Sequence, residues 1–497
     1  MKMKKYILMM SVAALFITSC SLDERSYGFY SNDNFYKSEA DATSVLLYAY
    51  NALTFLEYSR GIFYLGDIPT ETMSPKTDEA GDVYQLENWI CTNQTEQLEY
   101  YFKFCYIAIN RANSVLAYID TPSVPVEAKK RISGEAYFLR AWNYFNLMRN
   151  FGKVPIHKEA VSELSMTTAP MAEDLDEIFE MIRSDCWKAI SLLSVNKEFG
   201  RADKVAAESL LAKTYLTVAS AKENKAYLYS DMDVTVSEMY DSSAFYAGKV
   251  INDYKEQYDF DEDLRHIYDV NYPDGPEHIF IMPIERSGTQ EGNYSKLPLM
   301  FLPSNSSIPF YIKYSDDSLQ KANGNGWGVF LCNDDFVENS FSAVDRRRTE
   351  LIHRNIYDAS GNPIVPNQVK GYYTSKYVDP DFIGERTSAR PYLIRFSDIA
   401  LVYAEAAGPV EGLPVLNRIR TRAGLIPLPE GLDTDVYRRE VIKERALELA
   451  FEGNRLYDLR RTASVTLTDM KASGLSEMET AFFPIPQREI DLNPNLQ

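Results

Sequence analysis

Cysteine and histidine, the side chains most used for metal binding and nucleophilic chemistry, are scarce here: five and four in 497 residues. Cys20, Cys91, Cys105, Cys186 and Cys332 are widely spaced with no Cys-x-x-Cys pair, so neither a zinc site nor a disulfide framework is indicated. His157, His266, His278 and His353 belong to no His-Glu-x-x-His. The chain also has no Gly-x-Ser-x-Gly elbow and no glycine-rich phosphate loop. The acidic run Asp259-Phe-Asp-Glu-Asp263 lacks EF-hand spacing. With 71 acidic residues no carboxylate pair stands out as an acid and base, and a solvated face is their default role. No catalytic residue, metal site or cofactor is therefore expected. Positive charge is also short: a formal net charge of −19 argues against nucleic acid or an anionic bilayer as the main partner.

The leading apolar run, Tyr6 to Ile17, falls short of the roughly 20 residues that span a bilayer. Lys2, Lys4 and Lys5 precede it, as in a secretory signal. Ile17-Thr-Ser-Cys20 places small residues before a cysteine and looks like a lipobox. Residues 1–19 therefore read as a lipoprotein signal peptide. Cys20 reads as an acylated N-terminus, since more than one chain anchors stably at about 0.8 kcal/mol per buried methylene. Residues 20–38 read as its polar tether. Asp23 and Glu24 resemble the acidic signal that sends such lipoproteins to the outer face of the outer membrane.

Helical periodicity dominates the rest. A first helix is expected near Glu39–Phe55. Leu98, Tyr101, Phe102, Cys105, Ala108, Ile109, Ala112, Val115, Leu116 and Ile119 then form an i, i+3, i+4, i+7 stripe. Thr121-Pro-Ser-Val-Pro breaks it before a helix from about Val126 to Asn150, giving an αα-hairpin. A second hairpin pairs the stripe Leu175, Ile178, Phe179, Ile182, Cys186, Ala189, Ile190 and Leu193 with Ala207, Leu210, Leu211, Thr214 and Val218. Small residues such as Gly134 and Ala136 allow close approach, as in tetratricopeptide-type stacking, although the 34-residue consensus is not matched. From about Tyr254 to Pro391, Gly, Pro, Asn, Asp and Ser become frequent, with short extended runs such as His278 to Pro283. Helices resume at Tyr392. The expected fold is mainly α: a tetratricopeptide-like helical-hairpin scaffold (39–253 and 392–497) with a long irregular insertion containing short strands (254–391).

Two features call for specific partners. Glu444, Glu448 and Glu452 stand four apart on one face; like charges there repel, and Arg445, Arg455, Arg460 and Arg461 are the expected cations of a structural ion-pair network. The 35 tyrosines exceed ordinary core needs and suit sugar binding as well as half-buried packing. Trp142 and Trp187, in helical segments, read as core.

Gly134-Glu-Ala-Tyr-Phe-Leu-Arg-Ala-Trp-Asn-Tyr-Phe145 with Gly152-Lys-Val-Pro155 resembles the central signature of the SusD/RagB family. Gly200-Arg-Ala-Asp203, Ile394-Arg-Phe-Ser-Asp398, the Glu444–Arg461 motif and Phe483-Pro-Ile-Pro-Gln487 resemble further motifs in the same order. The resemblance implies a non-catalytic surface lipoprotein that binds oligosaccharides or polysaccharides and passes them to a TonB-dependent (SusC-like) outer-membrane transporter. A peptide-binding lid and, more remotely, a surface glycosidase are the alternatives. It also implies a site in the loop Asp82–Asn93 and in the insertion. Trp89 and Asn93 resemble the family's stacking tryptophan and ligand asparagine, Tyr84 and Asn88 are their neighbours, and Tyr294 and Trp327 complete the platform.

Overall fold

The computed structural model describes residues 36–76, 81–290, 292–304, 309–323, 326–364 and 369–496. Cys20, the segment 1–19 and most of the tether lie outside the described residues.

The chain begins with α1 (Glu39–Thr54), capped by the Ser38 side chain, which accepts from the Asp41 amide. A second helix, α2 (Leu56–Gly66), follows directly. After strand β1 (Met73–Pro75) comes a short helix, α3 (Asp82–Glu87), where a loop was expected. The scaffold continues with α4 (Glu96–Tyr118), α5 (Val126–Phe151), α6 (Leu175–Leu192), α7 (Lys204–Glu223) and α8 (Val236–Asp253), each packed on the next. The α4 stripe from Leu98 to Val115 is buried as its spacing predicts. In α5 every residue from Phe138 to Met148 is buried, because it is enclosed by α1, α4 and α6. Gly134 permits that closeness: a Cβ there would lie 2.7 Å from the Leu193 side chain.

The insertion is tied at its ends by β2 (His278–Ile281), which pairs antiparallel with β8 (Tyr392–Arg395). Between them, α9 (Leu297–Phe301) precedes the hairpin β3 (Phe310–Lys313) and β4 (Leu319–Ala322). Strand β5 (Phe330–Cys332) returns to pair with β1. Two short helices, α10 (Asp334–Ser340) and α11 (Arg346–Leu351), and the ladder β6 (Ile352–His353) with β7 (Tyr373–Thr374) complete it. A small second core of Leu302, Phe310, Ile312, Tyr314, Ala322, Ile356, Tyr373 and Val378 holds this region together.

The C-terminal part comprises α12 (Phe396–Glu411), α13 (Leu413–Arg422), α14 (Thr434–Glu448) and α15 (Arg455–Arg461). Helix α12 packs on α8, so the main core runs unbroken from the N-terminal hairpins into this part. Three further short helices, α16 (Val465–Thr468), α17 (Glu477–Ala481) and α18 (Gln487–Leu492), lie in a tail that runs back over the first hairpin. There the Phe483 amide donates to Asn150 O, and the Asn493 side chain donates to Ala169 O, each at 2.7 Å. Among the described residues no helix is long and apolar enough to cross a membrane.

Two further expectations are corrected. The glutamates of the acidic face are neutralised by Arg347, Lys376, Arg395, Arg420 and Arg422, all outside the motif. The motif's own arginines turn elsewhere: Arg445 to Asp398 and Asp458, Arg455 to Glu71, Arg461 to Glu405 and Asp458, and Arg460 to the carbonyls of Thr480 and Arg149. Trp187 is 43% exposed and donates to the Tyr246 hydroxyl at 3.1 Å, whereas Trp142 is core. Trp187 sits one position beyond Cys186, off the buried stripe of α6.

Candidate functional site

The candidate residues lie on two supports that meet at α2. Tyr84 is on α3, which rests on α2 and on β1. Strand β1 pairs with β5, and Trp327 stands three residues before that strand. Trp327 is fixed through its backbone: its amide donates to Leu299 O of α9 at 2.5 Å, and the next amide donates to Leu302 O at 3.0 Å. Tyr294 precedes the same helix, held by the paired amides and carbonyls of Ser295 and Thr387. Helix α9 is locked to α2 by Phe301, whose ring meets Phe63 edge-on at 5.0 Å. A rigid aromatic cluster thus supports both halves. Tyr84 is 52% exposed, Trp327 is 38% exposed and Tyr294 is half-buried.

Trp89, Asn88 and Asn93 occupy the turn from α3 into α4. The Asn88 side chain donates to Tyr84 O at 2.8 Å, closing the end of α3. Trp89 has φ +56, a left-handed conformation that costs a bulky residue on the order of 1–3 kcal/mol. It is held there by amide bonds to Leu86 O from Trp89 and to Gln85 O from Ile90, and its indole Nε1–H donates to Asp469 Oδ2 at 3.0 Å. The Asn93 side chain donates to Gln487 Oε1 at 2.5 Å, and Asn93 O accepts from the Gln487 amide at 2.7 Å. Both side chains are half-buried. Burial pushes the Asp469 carboxyl above its ordinary pKa, against the opposing effects of the Trp89 N–H and Lys471.

The structure therefore separates the six candidates. Tyr84, Tyr294 and Trp327 present aromatic surface on supports joined through α2; Trp89 and Asn93 are bonded to the C-terminal tail; Asn88 caps a helix. Two side chains that the sequence did not single out are bonded to them, Asp469 to Trp89 and Gln487 to Asn93. Gln487 closes the Phe483-Pro-Ile-Pro-Gln487 motif, which was the available signal. On α2 the Arg60 guanidinium lies over the rings of Tyr64 and Tyr100, 6.0 and 5.8 Å from their centroids, a cation–π arrangement. A cavity of about 1060 Å³ opens between α4, α5 and α6, and no candidate residue lines it.

Residues 342–497 match the SusD family, and residues 24–216 match the family described as "Starch-binding associating with outer membrane". Together they span most of the chain. The chain belongs to the SusD/RagB family. The SusD-like protein P2 of Formosa agariphila is 25% identical over 92% of this chain and 91% of its own length. The SusD fold is equally clear in solved structures. A SusD homologue from Bacteroides thetaiotaomicron superposes with a TM-score of 0.76 at 21% identity, over 94% of this chain and 97% of its own. A protein described as a laminarin-binding SusD-like protein superposes with a TM-score of 0.74 at 22% identity, over 92% and 98%.

Proposed function

We propose that this chain is a non-catalytic glycan-binding lipoprotein, anchored through Cys20 to the outer membrane and facing the cell exterior. In this reading it captures oligosaccharide chains and hands them to a TonB-dependent transporter. The supporting observation is the pair of exposed aromatics, Tyr84 and Trp327, carried on elements joined by the β1–β5 ladder and braced by α2. A sugar ring offers an apolar C–H face and a rim of hydroxyls, so a fixed aromatic surface beside amide groups suits it. Membership of a family described as starch-binding, and the laminarin-binding neighbour, favour a glycan over a peptide.

Calorimetry of the soluble protein against starch and laminarin oligosaccharides and a peptide panel tests this reading. Binding of a glycan that Trp327→Ala weakens about tenfold or more is expected, since base- or sugar-type stacking on one aromatic is worth on the order of 1–3 kcal/mol. Binding of peptides alone would replace the glycan reading by the peptide-lid one. New reducing ends on incubation would replace it by a glycosidase.

A further inference from the structure

The tail from Val465 to Leu496 touches both ends of the turn that carries Trp89 and Asn93. At one end Asp469 accepts the Trp89 indole N–H at 3.0 Å while its other oxygen accepts the Lys471 amide at 2.9 Å, so the carboxylate is itself oriented. Lys471 pairs with Glu87, the last residue of α3. At the other end Gln487 makes two bonds to Asn93, and Arg488 pairs with Glu99 at 3.1 Å. The inward bonds of residues 88–95 themselves are local: the Trp89 and Ile90 amides donate to Leu86 O and Gln85 O, the Thr92 amide to Thr95 Oγ1 at 3.0 Å, and Thr95 Oγ1 to Gln85 Oε1 at 2.6 Å. Trp89 stands at positive φ, which a turn residue keeps only where its surroundings impose it.

We propose that the C-terminal tail is a strap, and that Asp469 and Gln487 are positioning residues that fix residues 88–95 and thereby the orientation of Trp89 and Asn93. Its consequence for ligands rests on the glycan-binding reading above. With the indole N–H taken by Asp469, Trp89 offers a ligand only its ring. With an amide hydrogen taken by Gln487, Asn93 is turned so that its Oδ1 is left to accept a hydroxyl. The strap thus selects a ligand with an apolar face and donor hydroxyls.

Asp469→Ala, Asp469→Asn and Gln487→Ala are compared in the whole soluble protein. The first readout is hydrogen exchange of the amides of residues 88–95 without ligand. The second is near-ultraviolet circular dichroism, with Trp89→Phe identifying the Trp89 band. The third is affinity for laminarin and starch oligosaccharides. Asp469→Ala and Gln487→Ala should each speed exchange in 88–95 about tenfold, as expected for loss of a charge-assisted or buried hydrogen bond. Exchange in Lys204–Glu223 should be unchanged. Asp469→Ala should alter the Trp89 band and weaken glycan binding by a similar factor, and Asp469→Asn, which keeps an acceptor oxygen, should restore both. Unchanged exchange in 88–95 in both alanine variants overturns the strap. Faster exchange with undiminished glycan affinity overturns the positioning role. If the wild type binds neither glycan, the functional reading fails, and the exchange data still decide the strap. Should Asp469→Ala fail to fold, Gln487→Ala carries the same test, because the backbone bond to Asn93 survives it.

Discussion

Replacing Arg395 by leucine should be among the most costly single changes in this protein. Its guanidinium is 1% exposed and donates to Glu277 at 2.9 Å, Glu448 at 3.0 Å and Glu452 at 2.8 Å, and to Glu448 O at 2.7 Å. Each glutamate keeps another cation: Glu277 keeps Arg422, Glu448 keeps Arg347 and Arg422, and Glu452 keeps Lys376. The variant therefore holds one uncompensated buried negative charge rather than three. Removing one partner of a buried pair costs about 3–5 kcal/mol, and roughly that loss is expected at pH 7. The pH dependence has a definite sign. Burial raises the carboxyls of Glu277 and Glu448, but Arg422 and Arg395 outweigh it and hold both below the ordinary glutamate value of 4.5. Stability from a depressed carboxyl is present above its unfolded pKa and is lost as pH falls through the folded one. The deficit of Arg395→Leu should thus be full at pH 7 and shrink below about pH 4. The wild type's extra stability fades there as the unfolded chain takes up protons, while the variant's unpaired carboxylate is protonated more readily and loses less. Urea unfolding followed by circular dichroism at pH 7, 5 and 3 measures it, with Arg395→Met as a control for the lost aliphatic stem. A cost under about 1 kcal/mol at pH 7, or a deficit that does not change with pH, would refute the electrostatic account.

Other outcomes follow from the same geometry. Asp398→Asn leaves Lys213 buried beside Arg445 without a counter-ion; its wild-type carboxyl, raised by burial but outweighed by Lys213 and Arg445, sits at about 2. A loss of about 3 kcal/mol above pH 4 that fades toward pH 2 should appear in the same unfolding series. Gly66→Ala puts a Cβ 2.3 Å from Gly453 O, a backbone atom that cannot rotate away, and should cost at least about 2 kcal/mol by loosening α2 from the turn after α14. Trp187→Ala, off the candidate face and exposed, should lower stability by no more than about 1 kcal/mol and leave ligand affinity unchanged in calorimetry. A large affinity loss there would relocate the binding surface to α6.

Where the fold was legible, one local regularity decided it. In α4 and α6 the apolar residues recur at helical spacing, so the buried face follows from the sequence alone. Trp187 shows the same rule correcting intuition: its size suggested core, while its place beside Cys186 put it off the stripe. Helix α2 was not legible because two glycines and crowded aromatics, Tyr58, Phe63 and Tyr64, obscure any periodicity over Leu56–Gly66. Helix α3, six residues long, is shorter than any window in which period 3.6 can be told from chance. The acidic face of α14 announced that it needed cations but not which ones. Coulomb attraction specifies sign and distance, and the nearest arginines in sequence are drawn to Asp398, Glu405 and Asp458 by the packing of α12 and α15.

The candidate site divides along the same line. That an exposed tryptophan and tyrosine suit a sugar is a property of single side chains, and residue type carries it. What a side chain has left to offer a ligand is a property of pairs. The partners of Trp89 and Asn93 lie 380 and 394 residues away, where no local pattern reaches. Reading Trp89 and Asn93 by type alone would assign both the indole N–H and the amide to ligand hydroxyls. The structure commits the first to Asp469 and one hydrogen of the second to Gln487, so the ring of Trp89 and Oδ1 of Asn93 remain for recognition. On the proposed reading, the tail shapes the binding surface without touching ligand. The informative substitutions are then as much at its anchors as at the aromatics.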